Sequence, residues 1–143
     1  MSQYLIHIKK ELIKLGAIEI HDKEIQGQPL LIYKISIDEK VVNFLLFHSI
    51  SDDESTVIIH LQSTFSAPFD PPEKDFYQIL EKLNYDSIMG NLFFVHENDS
   101  NYIAYRSNYI GTKTDIIDSP VSFDLFLSSS YDMYSMFDSE LNL

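Results

Sequence analysis

The chain has 143 residues, 45 % of them hydrophobic and 22 % charged, and carries a formal charge of −12 with no cysteine. Such a length fits one domain spanning residues 1–143, with apolar content for a core rather than a disordered tail. Without cysteine there is no disulfide framework, thiol nucleophile or cysteine zinc site, and 22 acids against 10 bases oppose binding to a phosphate backbone, so no nucleic acid partner is expected.

The N-terminal segment reads as a helix. Tyr4, Leu5, Ile8, Leu12 and Leu15 share one face at helical spacing, Ser2 is placed to cap the start, and Gly16 to end it in a left-handed conformation. Ile6 and Ile13 form a second, narrower stripe one heptad apart, which either widens the contact with a sheet or docks a partner. Ala17 to Gln28 is a mixed-charge connector with room for a short strand around Ile18 and Ile20. Three strands are predicted next, at Leu30 to Ile37, Val41 to Ile50 and Thr56 to Phe65. They are joined by the turn Asp38-Glu39-Lys40 and the acidic loop Ser51 to Ser55, an antiparallel meander.

Asp70-Pro71-Pro72-Glu73 has the residues of a helix start, with Asp70 as cap and Pro71 in the first turn. The helix it opens carries Phe76, Ile79, Leu80 and Leu83 on one face and fades near Asn84. Leu92 to His96 and Tyr102 to Tyr109 read as a second hairpin around the polar loop Glu97 to Asn101. Gly111 to Asp118 reads as linker, and Ser119-Pro120 opens a final helix. Its broad apolar face is Phe123, Phe126, Leu127, Tyr131, Tyr134, Phe137 and Leu141, while Leu125 and Met136 are stranded on its polar side. From Asp115 onward there are six acids and no base, a solvated acidic face or a guide for a basic partner. The order α-β-β-β-α-β-β-α is that of one α+β domain, an antiparallel sheet packed by helices.

The strands carry more apolar side chains than one buried face needs. Leu30, Ile32, Leu45, Phe47 and Ile58 all fall opposite the main apolar face of their strands. Burying such a side chain is worth roughly 1.5–3 kcal/mol, so half a dozen left wet would forgo on the order of 10 kcal/mol, comparable with the stability of a small domain. A helix, a twin subunit or a client peptide is expected to cover part of the second face.

Chemistry leaves little trace. The four glycines are scattered, which excludes a phosphate loop, a dinucleotide fingerprint and a nucleophile elbow. None of the five histidines has a metal-binding spacing, although His48 and His60 lie on neighbouring strands and could meet diagonally. Asp52, Asp53 and Glu54 could attract a cation but lack the spaced oxygens of a calcium loop. No catalytic residue, metal or cofactor is assigned. No apolar run approaches the ~18 residues of a membrane span and the N-terminus lacks a signal-peptide core, so a cytoplasmic protein with no membrane partner is expected.

The element order resembles the type III secretion chaperone fold, shared with the YbjN-like proteins. Asp75 to Asn84 followed by Met89-Gly90-Asn91-Leu92-Phe93-Phe94-Val95 resembles the second helix of that fold and the strand that starts near a glycine. Tyr102 to Tyr109 and the acidic final helix continue the likeness. The resemblance implies a bacterial homodimer without enzymatic activity, chaperone- or regulator-like, that binds a protein or peptide over apolar patches. The partner-binding positions come from the surface pattern: Ile6, Ile13, Leu30, Ile32, Leu45, Phe47 and Ile58, with Leu125 and Met136 as further candidates. Two other readings stand beside it. One is an acidic immunity or inhibitor protein. The other is a small-molecule enzyme sited between sheet and final helix, near His48, His60, Tyr102, Tyr105, Tyr131 and Tyr134.

Overall fold

A computed structural model describes residues 3–65 and 74–141. Ser2 and Asp70-Pro71-Pro72-Glu73, the helix starts expected from sequence, lie outside the described residues, as do the side chains of Phe76 and Ile79. The elements run α1 (Gln3–Lys14), β1 (Ile18–Ile25), β2 (Gln28–Ile37), β3 (Lys40–Ile50), β4 (Thr56–Thr64), α2 (Lys74–Asp86), β5 (Asn91–Glu97), β6 (Ser100–Thr112), α3 (Lys113–Ile117) and α4 (Val121–Leu141). The six strands form one antiparallel sheet in the order β1-β2-β3-β4-β6-β5, so the expected α+β architecture is present.

Two segments gained structure. The connector after α1 is the full edge strand β1, kinked where its register shifts between Ile18 and His21 and Glu19 adopts a positive φ. The stretch before α4 contains α3, started by Thr112, whose side chain accepts from the Asp115 amide while Asp115 accepts from the Thr112 amide. Turns set the register. Asp38-Glu39 and Asn98-Asp99 are two-residue loops with both residues in the left-handed region, as is Gln26-Gly27. That backbone twist matches the twist of the flanking strands. The expected loose loop at Glu97 to Asn101 is therefore a tight turn, and β5 and β6 pair as far as Glu97 and Ser100.

Helices cover one face of the sheet. Tyr4, Ile8 and Leu12 of α1, Ile116 of α3 and Phe123, Phe126, Leu127, Tyr131, Met133, Tyr134 and Phe137 of α4 enter a single core with Tyr33, Phe44, Leu46, Ile59, Leu61 and Tyr105 of the strands. Aromatic rings form its centre. Phe44 stacks on Tyr33 and meets Tyr131 and Tyr134 edge-on, at centroid distances of 5.9, 5.3 and 5.5 Å. The Tyr33 and Tyr131 hydroxyls satisfy each other at 2.8 Å, and Ser107 and Ser130 do the same at 2.8 Å. Burial pushes the Tyr134 hydroxyl up to about 12 and holds Tyr33 and Tyr131 protonated as well, so this cluster stays neutral at any ordinary pH.

Both sheet edges carry features that disfavour further pairing, along β1 and at Leu92 of β5. β1 is exposed along nearly its whole length, rich in charge and kinked. On β5 the Asn84 side chain acts like a strand residue, donating to the Leu92 carbonyl at 3.0 Å and accepting from its amide at 2.7 Å.

Two measurements check this packing. Phe44→Ala empties the centre of the aromatic cluster and is expected to cost about 3–5 kcal/mol in urea unfolding. His48 is buried under α1, its Nδ1 3.0 Å from the Tyr4 hydroxyl. Desolvation lowers its pKa, nearby Asp22 opposes that and Lys9 reinforces it. The unfolded chain takes up the proton near its ordinary value of about 6.5 while the folded chain resists, so stability falls as pH drops through that value and levels off below the folded-state pKa. His48→Gln is expected to flatten this part of the pH dependence of unfolding.

Candidate partner-binding face

The face of the sheet away from the core has no helix over it among the described residues. Strand register lays it out in rows across the strands. One row runs His21, Ile32, Leu45, Gln62, Arg106, Asn91; the next runs Lys23, Leu30, Phe47, His60, Asn108; a third holds Ser49, Ile58 and Ile110. The face divides accordingly. β2 and β3, with Ile58 of β4, supply an apolar half, and the rest of β4 with β6 and β5 supplies a half rich in amide, imidazole and guanidinium groups.

Ile32, Leu45, Phe47 and Ile58 are half-buried, and Ile110, which the sequence reading passed over, is 71 % exposed. Leu30 is a correction: it is fully buried between Lys23 of β1 and Phe47 of β3 and offers no surface to a partner. An extra strand, β1, stands beside it, and that shielding was invisible while Ala17 to Gln28 read as connector. Intramolecular packing thus hides one of the five strand residues completely and the other four only in part. Among the described residues no covering helix hides them.

On the helical side, Ile6 and Ile13 are 51 % and 62 % exposed, so the second stripe of α1 does not widen the sheet contact. Leu125 is exposed on α4 and Met136 borders on exposure. The acids of α4 are partly structural. Asp124 pairs with Lys14 of α1 at 3.0 Å and Asp138 with Lys40 of β3 at 2.9 Å, leaving Asp132 and Glu140 exposed. Asp124 also faces Glu11, whose pKa is raised from its ordinary value by burial and by that neighbouring carboxylate.

The residues of the enzyme reading do not converge. Ile59 stands opposite His48 and Phe47 opposite His60, which puts the two histidines on opposite faces of the sheet. Tyr131 and Tyr134 are core residues, the Tyr105 hydroxyl donates to the Met89 carbonyl at 2.5 Å, and Tyr102 lies on the open face. In the acidic loop, Asp53 is a turn former rather than a cation ligand. Its Oδ1 accepts from the Ser51 hydroxyl at 2.6 Å and from the Ser55 amide and hydroxyl at 3.0 and 2.6 Å, which holds its pKa down to about 2. No group of three or more metal-binding side chains occurs among the described residues, and no helix among them is long and apolar enough to cross a membrane.

No protein-family model and no curated protein matches the sequence. A six-stranded antiparallel sheet under helices on one face, in this connection order, defines a YbjN-like α+β fold. Among solved structures the chain is similar to YbjN of E. coli, described as a candidate transcription regulator. The TM-score is 0.56 at 13 % identity, covering 96 % of this chain and 90 % of that one. That likeness bears out the YbjN-like part of the resemblance at the level of the fold.

The exposure of Ile110 can be checked directly. Ile110→Asn is expected to change unfolding free energy by no more than about 0.5 kcal/mol, as for a surface position. A loss of several kcal/mol would mean that the chain itself covers the open face.

Proposed function

We propose that this chain is a non-enzymatic protein-binding domain, chaperone- or regulator-like, that acts as a homodimer and holds another polypeptide against its open sheet face. The observation that carries this reading is the apolar half of that face, where Ile32, Leu45, Phe47 and Ile58 are left partly exposed by their own fold. A monomer gains nothing from keeping such a patch wet, whereas an interface core gains its burial free energy. The edge features of β1 and β5 favour docking onto the face over strand addition. YbjN, the structural neighbour, is described as a candidate transcription regulator, which supports a regulator-like role.

The exposed stripe of Ile6 and Ile13 on α1 supports self-association through the helical layer, which keeps the sheet face free for the partner. Multi-angle light scattering at micromolar concentration is expected to give a dimer, and the double variant Ile6→Asp/Ile13→Asp a folded monomer. Phe47→Asp is expected to stay dimeric but to lose binding of a hydrophobic dye. A wild-type protein that is strictly monomeric and binds no dye would contradict the proposal.

A further inference from the structure

Charge on this molecule is segregated by face. The sequence holds 22 acids, yet the four inner strands β2, β3, β4 and β6 place no carboxylate on the open face. Every second residue of those strands points there, and the series reads Gln28, Leu30, Ile32, Lys34 on β2 and Ile58, His60, Gln62, Thr64 on β4, with Arg106 and Asn108 on β6. Acids are concentrated instead on α4, over the opposite face, which carries four carboxylates and no base. Carboxylates reach this face only at its edges among the described residues, Glu97 on β5 and Glu19 of β1 paired with Lys34, so within a chain of net charge −12 its centre suits a negatively charged partner.

Arg106 is the focus of that face and the only arginine in the sequence. Among the described residues five lysines are ion-paired: Lys9 with Asp22, Lys14 with Glu11 and Asp124, Lys34 with Glu19, Lys40 with Asp138 and Lys113 with Glu54. Arg106 forms no ion pair among the described residues. It stands opposite Gln62 in the β4–β6 register. With Gln62, His60, Gln28 and the ring of Phe47 it lines a shallow depression of about 370 Å³. His60 is fixed by its Nδ1 contact to Asn108 Oδ1. The depression therefore combines a planar, permanently charged donor fork, two side-chain amides and an aromatic wall, without an acid. A carboxylate satisfies a guanidinium in bidentate fashion, and the apolar half alongside takes the neighbouring side chains of the same segment.

We propose that Arg106 and Gln62 form a carboxylate-binding subsite on the open face, which selects an acidic peptide segment whose apolar side chains lie on Leu45, Phe47 and Ile58. This rests on the reading of the open face as a protein-docking surface and names the chemistry of the partner. A nucleic acid at the same place would need cations spaced along successive phosphates, whereas Arg106 stands beside an apolar half.

The test uses the full-length protein, isotope-labelled for amide NMR, titrated with three short synthetic peptides of alternating sequence: Leu-Glu, Leu-Gln and Leu-Lys. The Leu-Glu peptide is expected to shift amides of β4 and β6 around Gln62 and Arg106 and to bind about tenfold or more tighter than Leu-Gln at low salt, since a hydrogen bond between charged groups is stronger than one to a neutral amide. In Arg106→Gln that preference is expected to shrink to about twofold or less, and Arg106→Lys to restore part of it, a point charge lacking the fork. Equal binding of Leu-Glu and Leu-Gln to the wild type overturns the carboxylate subsite. If Phe47→Asp then abolishes both, the docking face itself still stands. Peptides that leave the open-face amides unmoved overturn both readings. Tighter binding of oligothymidylate than of Leu-Glu overturns the choice of partner.

Discussion

Phe44 of β3 lies in ring contact with Tyr33, Tyr131 and Tyr134, and that cluster fixes α4 across the inner strands. The consequence is geometric. Once α4 lies on this face with α1 and α3 beside it, every alternate strand residue is committed to the core, and the residues between them are committed to the other side. A shift of one residue in any strand would exchange the two sets, so the tight left-handed turns at Asp38-Glu39 and Asn98-Asp99 matter as much as the aromatic rings. The open face is thus a by-product of how strongly the covered face is specified.

Much of this was legible in the sequence. The β-branched and aromatic runs of β2, β3 and β4 announced themselves, as did the apolar faces of α1 and α4, because periodicity depends only on local spacing. β1 was hidden because an exposed edge strand needs no alternation: Ile18 to Ile25 interleaves charge with isoleucine on both sides and reads as a loop. α3 was hidden by its five-residue length, although its Thr112 and Asp115 cap was there to be seen. Leu30 and Ile32 looked equivalent along the strand. Both pair with β1 and β3, but Leu30 lies between Lys23 and Phe47 and is buried, while Ile32 lies between His21 and Leu45 and is half-buried. In the same way, neighbouring strands put His48 near His60 in the sequence reading, and the register then separates them by the thickness of the sheet.

The donor half of the open face was the least legible part. Gln62 and Arg106 are separated along the chain by α2 and β5 and meet only because β6 returns to pair with β4. Nothing in the composition hints that a chain with 22 acids keeps one sheet face free of them along its inner strands. Local sequence could have supplied one signal: a single arginine flanked in alternation by Ala104 and Asn108 on a strand whose intervening residues Ile103, Tyr105 and Ser107 face the core. Read together, the apolar half supplies burial and the donor half supplies discrimination, the usual division between what makes an interface stick and what makes it choose.

Methyl NMR with a soluble paramagnetic agent tests the openness of this face most directly. In dilute protein, the methyl signals of Leu45, Ile58 and Ile110 should broaden strongly while those of Leu12, Leu46 and Ile59 stay sharp, and the first group should regain its sharpness when the Leu-Glu peptide is added. Protection of Leu45, Ile58 and Ile110 in the dilute protein alone would show that the chain already closes over its own sheet, and no docking face would remain.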